Sequence, residues 1–128
     1  MGDKLAPERP MTAGEDPSAT EIDPERLAAW MVEDRNLQVI DVREPHEREA
    51  GHIGGTSHIE LVELSREAGT LSSERPVVFY CRVGNRSLMA AQAFRASGFE
   101  AYSLQGGLVR WAQEGRPLVP ESGYVAEH

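Results

Sequence analysis

Val77-Val78-Phe79-Tyr80-Cys81-Arg82-Val83-Gly84-Asn85-Arg86-Ser87 reads as a strand, a short loop and the start of a helix. Its first four residues are apolar or aromatic without alternation, the pattern of a strand covered on both faces, as in a parallel sheet. Gly84 permits a tight turn. Asn85 or Ser87 can cap a helix from Ser87 to Ser97, with Leu88, Ala91 and Phe94 inward and Gly98 as its stop. Two further apolar runs flank this unit: Leu37 to Val42 before it and Phe99 to Leu104 after it. Asp23-Pro24-Glu25 supplies a cap, a proline at the first helical position and an acid in the first turn. The spacing therefore predicts a helix over 24–34 that presents Leu27, Trp30 and Met31 on one face. Glu44 to Ala50, Leu61 to Ala68 (stopped by Gly69) and Leu108 to Glu114 (closed by Gly115 and Pro117) are the other helical segments. Strands alternating with helices give an α/β domain with a parallel sheet and right-handed crossovers.

The 128 residues suit one domain, read here as residues 21–120. Residues 1–20 carry Pro7, Pro10 and Pro17 and no aromatic side chain, which reads as a flexible tail. Glu121 to His128 reads as a loose end. No apolar run approaches the ~18 residues of a membrane span. Nor does a basic-then-apolar leader open the sequence, and Ala6 stands where a myristoylation signal needs Ser or Thr. The expectation is a soluble, cytoplasmic domain.

Charge narrows the function. Thirteen basic and 21 acidic residues leave a net −8, which argues against nucleic acid and anionic membranes as partners. The distribution is uneven. Arg75 to Phe99 contains four arginines and no carboxylate, a +4 segment in a −12 background. Cys81, the one cysteine, lies within it. A single cysteine excludes an internal disulfide and a Cys-rich zinc site.

Taken alone, a cysteine closing an apolar strand is an inert, buried, small side chain. Here it opens a loop beyond the carboxyl end of a strand, where open α/β sheets bind ligands. Successive backbone N–H groups of such a loop, with the helix start, form an anion-binding nest. Those donors, Arg82 and Arg86 favour an anionic sulfur at Cys81. The result is a nucleophile in a cationic cradle, fitted to an anionic substrate.

Four ordered blocks carry a family resemblance. They are Val39-Ile40-Asp41-Val42-Arg43-Glu44, Gly51-His52-Ile53, Cys81 through Ser87, and Leu104-Gln105-Gly106-Gly107 followed by Trp111. From Ile22 to Pro120 the chain resembles the rhodanese (sulfurtransferase) domain family, single-domain type. The resemblance implies a rhodanese-like three-layer sandwich, a parallel five-stranded sheet flanked by helices. It implies Cys81 as the catalytic nucleophile, taking the outer sulfur of a donor such as thiosulfate and carrying it as a persulfide. Cyanide, a thiol or a protein acceptor then removes that sulfur in ping-pong fashion. Arg82, Val83, Gly84, Asn85, Arg86 and Ser87 match the loop that cradles the persulfide. No cofactor and no metal are implied. Val83 stands where a small polar residue is common, so the loop lacks a hydroxyl donor there. Gly54 and Thr56 likewise replace a usual Pro and Ala.

Asp41 and Arg43 read as a buried ion pair or as ligands of loop backbone, and His52 as a structural residue bonding nearby backbone. His46, His52 and His58 lack metal-ligand spacing. Gly106 and Gly107 read as a tight turn. Two other functions stay open. One is a sulfur carrier or interaction module without thiosulfate turnover. The other is a phosphatase or arsenate reductase, which the four residues between Cys81 and Arg86 disfavour, since those relatives carry five.

Overall fold

The computed structural model describes residues 19–128; the tail expected over residues 1–20 lies outside them for residues 1–18. Five strands form one sheet: β1 (Glu21–Ile22), β2 (Gln38–Asp41), β3 (Ser57–His58), β4 (Val77–Tyr80) and β5 (Ala101–Leu104). Their order is β1-β5-β4-β2-β3, and every pairing is parallel. Helices α1 (Pro24–Glu33), α2 (Pro45–Ala50), α3 (Leu64–Glu67) and α4 (Asn85–Ala96) lie in the connections between strands, and α5 (Gly107–Gln113) follows β5. The α/β class and the five-stranded parallel sheet are as expected.

The central strand explains its own sequence. Val78 and Tyr80 of β4 join Leu27, Trp30, Tyr102, Leu104, Leu108 and Trp111 in one buried cluster. Val77, Phe79 and Cys81 join Ile40, Leu64, Ala90, Ala91 and Phe94 in another. Both faces of β4 are therefore apolar, and the run has no alternation to show.

Asp23 caps α1 as expected, its Oδ1 accepting the Arg26 N–H at 2.8 Å. The cap of α4 differs from expectation. The helix starts at Asn85, and its cap is Gly84, with φ +111° in the left-handed region. Ser87 lies inside the first turn, and its hydroxyl donates to the Gly84 carbonyl at 3.2 Å instead of accepting a backbone N–H. Leu61 to Ala68 is not one helix: short 3₁₀ turns over Leu61–Glu63 and Ala68–Thr70 flank α3. Its start is tied to the sheet, because the Leu61 N–H donates to Val42 O at 3.0 Å. The two edge strands have two residues each, too few to display a period.

Residues 121–128 hold no helix or strand, yet they are not loose. Val119 forms an antiparallel bridge with His52, and the Tyr124 N–H donates to Ala50 O at 2.9 Å. Val125 packs against the first core cluster. The lack of a side chain at Gly51 permits this close approach: a Cβ there would lie 2.6 Å from Tyr124 O. Among the described residues no helix is long and apolar enough to cross a membrane.

Candidate active site

Cys81 follows β4 directly, so the parallel sheet delivers its thiol to the carboxyl edge of the strands, almost fully buried at 1% exposure. The loop closes back on the sulfur. The Gly84 N–H points at Sγ from 3.1 Å and the Ser87 N–H from 3.4 Å. The Ser87 hydroxyl lies 3.5 Å from Sγ. Two backbone donors thus converge on one sulfur. Val83 is 45% exposed at the loop surface, and Asn85 is exposed at the first position of α4.

Two elements clamp the loop. The start of α5 donates to it, Leu108 N–H to Cys81 O at 2.9 Å and Val109 N–H to Arg82 O at 3.0 Å. This contact requires Gly107: its φ is +61°, and a Cβ would lie 2.5 Å from Arg82 O. The Gly106-Gly107 turn is thus the seat of the loop as well as the end of β5. From beneath, Ser103 of β5 bonds the Ser87 hydroxyl at 2.7 Å, and both residues are fully buried.

The arginines divide the work unequally. Arg86 forms two hydrogen bonds to Glu47, Nη1 to Oε2 at 2.9 Å and Nη2 to Oε1 at 3.0 Å. Glu47 is completely buried on α2, and its Oε2 also accepts the Glu44 N–H. Burial opposes ionisation of this carboxyl, but hydrogen bonds from Arg86 and the Glu44 backbone, with Arg86's charge, hold it below the usual carboxylate range. Glu47's hydrogen bonds in turn hold Arg86 above its ordinary range against the cost of burial, and the nearby Cys81 adds to this. Arg82 has a looser partner, with Nη2 3.7 Å from Oε2 of Glu127, whose side chain is 93% exposed. Arg82 Nε has no hydrogen-bond partner among the described residues. The other two arginines of the +4 segment turn elsewhere: Arg75 to Asn36 O, Arg95 to Ala101 O. The cradle is therefore narrower than the linear charge count suggests.

Asp41 and Arg43 form a fully buried pair joined by bonds of 2.9 and 2.8 Å. Burial lowers the Arg43 guanidinium's affinity for its proton, and Asp41's hydrogen bond and charge more than restore it. Arg43 also donates to Gly51 O at 2.8 Å, which fixes the end of α2, the helix that presents Glu47. Asp41 accepts a longer contact from Arg48, which itself holds Thr56 O at 2.7 Å. The neighbouring Tyr80 hydroxyl accepts the Ile53 N–H and bonds Thr56; burial and the charge of Asp41 push its pKa up to about 12. His52 lies on this scaffold, its Nδ1 3.0 Å from Arg48 O. The two residues support the site at one remove, through α2.

No gathering of His46, His52 and His58 occurs. Glu44, Glu47 and His128 place ligand-type atoms within 4.8 Å of one another, but Arg86 already holds both Glu47 oxygens. Sequence reading missed Glu47, Ser103 and Glu127. Glu47 looks like its neighbours Glu44 and Glu49 in the sequence, and only the fold buries it.

Residues 23–114 match the sequence model of the Rhodanese-like domain. This chain belongs to that family. The uncharacterized protein YqhL of Bacillus subtilis is 44% identical over 78 residues, 60% of this chain and 62% of YqhL. Thiosulfate sulfurtransferase GlpE of Coxiella burnetii is 36% identical over 87 residues, 66% of this chain and 81% of GlpE. Some longer relatives are matched over a quarter of their length or less. A rhodanese-related protein from Thermoplasma volcanium superposes with TM-score 0.72 at 29% identity, over 79% of this chain and 98% of that one.

Proposed function

We propose that this rhodanese-like chain is a sulfurtransferase that carries sulfane sulfur on Cys81. The observation that carries the reading is the pair of backbone donors, Gly84 and Ser87, converging on Sγ at 3.1 and 3.4 Å. The name of the related GlpE protein supports the same chemistry. The Cys81 thiolate attacks the outer sulfur of thiosulfate. A new S–S bond forms, the donor's S–S bond breaks, and its electron pair leaves with sulfite. The Gly84 and Ser87 N–H groups that converge on Sγ support the anionic sulfur released when the persulfide gives up its outer atom. An acceptor nucleophile then attacks that sulfur: cyanide leaves as thiocyanate, a thiol as its own persulfide. Cys81 returns as thiolate, with no external oxidant or reductant. Lacking a second cysteine, the chain cannot resolve the persulfide internally, so the sulfur goes to an external thiol or protein.

The four-residue spacing between Cys81 and Arg86 gives a ring sized for a sulfur atom and speaks against phosphoryl chemistry. Steady-state rates with thiosulfate and cyanide test the proposal. A ping-pong carrier gives parallel double-reciprocal lines, and Cys81→Ser is inactive. Intersecting lines, or turnover by Cys81→Ser, would exclude the covalent route.

A further inference from the structure

The segment from Leu118 to His128 leaves the end of the domain and travels back along α2 toward the catalytic loop. It is clipped in place by backbone. Val119 and His52 exchange N–H···O bonds of 3.0 and 2.7 Å, and the Tyr124 N–H reaches Ala50 O. The crossing is so close that a Cβ on Gly123 would lie 2.9 Å from Ala50 O and 2.8 Å from Pro120 O. Beyond the clip, Glu127 O lies 3.1 Å from His46 Nε2, and His128 Nε2 lies 3.3 Å from Glu44 Oε2. These contacts set the Glu127 carboxylate beside Arg82.

Of the two arginines of the loop, Arg86 is paired with a buried carboxylate. Among the described residues Arg82 is countered only by Glu127, an exposed group at 3.7 Å that can swing away. Arg82 follows Cys81 directly in the chain, so an anionic donor that reaches the thiol comes close to a cation already shared with a carboxylate of the same chain. An uncharged electrophile meets no such competitor.

We propose that Glu127 is a specificity-determining residue that selects against small anionic donors by occupying Arg82, with the Gly51–Gly123 clip holding it there. This rests on the sulfurtransferase reading for its biological meaning, since it decides which donors reach Cys81. The physical claim stands apart from that reading. An exposed ion pair is weak, so the effect is a modest one, about two- to five-fold in rate or KM. It fades at high ionic strength.

Alkylation of Cys81 in the full chain tests it without any turnover. Iodoacetate and iodoacetamide deliver the same electrophilic carbon, one with a negative charge and one without. Glu127→Gln raises the iodoacetate rate about two- to five-fold and leaves the iodoacetamide rate where it was. Salt at ~0.5 M removes the difference. Gly123→Val, which unclips the segment, raises the iodoacetate rate more than the iodoacetamide rate. With thiosulfate as donor, KM falls in both variants. Unchanged iodoacetate rates in Glu127→Gln, an equal rise for both reagents, or failure of both to reach Cys81 would each overturn the proposal. Failure to form a persulfide alongside a shifted reagent ratio would count against the sulfurtransferase reading alone.

Discussion

Glu47 and Arg86 join two parts of the chain 39 residues apart through a pair of near-parallel hydrogen bonds, with the carboxylate wholly buried. Arg86 sits in the first turn of α4, one residue before the Ser87 N–H that faces Cys81. The pair therefore sets the position of a sulfur-facing donor from a helix on the far side of the loop. Removing one partner of a buried pair leaves the other uncompensated, at about 3 kcal/mol. Glu47→Gln is expected to lose that much stability in urea unfolding. Its turnover is expected to fall about ten-fold or more, because a displaced loop misaligns the reacting sulfur.

The same carboxylate predicts an acid dependence. Its folded value lies below the ordinary glutamate value of 4.5, so its stabilisation is complete above that value. It is lost as pH falls through the lower folded value. Wild-type stability is expected to drop on acidification below that point more steeply than stability of Glu47→Gln. Urea midpoints measured in parallel from neutral pH into the acid range give the comparison, and equal slopes would refute it.

How much of this was legible in the sequence follows from distance along the chain. The strand, Cys81, Gly84 and the helix start are contiguous, so their pattern survives in one dimension. Asp41 and Arg43 are two residues apart, and their pairing was readable for the same reason. Glu47 meets Arg86, Ser103 meets Ser87, and Glu127 meets Arg82 only because the parallel crossovers bring separate segments to one edge of the sheet. Its third position in α2 marks Glu47 as a partner for the Glu44 N–H, but nothing local marks it for burial against Arg86 where Glu49 stays exposed. The cap of α4 was misread for a different reason. Ser and Asn are the usual caps, but a left-handed turn let Gly84 take that position and freed Ser87 to face the sulfur.

Gly107 carries a steric prediction. With φ at +61° and the Arg82 carbonyl 2.5 Å from an added Cβ, Gly107→Ala strains its own backbone and lifts the loop off α5. The expected loss exceeds about 1 kcal/mol. A thermal melt should show a lower midpoint, and sulfur transfer should weaken with it. Gly115→Ala is the comparison: φ there is also positive, at +78°, but a Cβ meets nothing within 4 Å. It is expected to cost less stability and to spare the loop.

Ser87 and Ser103 are expected to couple. Each buried hydroxyl satisfies the other at 2.7 Å, so replacing one leaves a polar group with fewer partners. Ser87→Ala and Ser103→Ala together should cost less than the sum of the two single changes, by about 0.5 kcal/mol or more. A double-mutant cycle in urea measures this. Simple additivity would show that the hydroxyl pair contributes nothing of its own.

The proposed transfer requires Cys81 to accept and hold sulfane sulfur. The most direct measurement is the intact mass of the protein after incubation with thiosulfate, before and after cyanide, beside Cys81→Ser. The expected result is a gain of one sulfur atom, its loss on cyanide addition, and no gain in the variant. An unchanged mass with thiosulfate and with other sulfane donors, or an equal gain in Cys81→Ser, would contradict it.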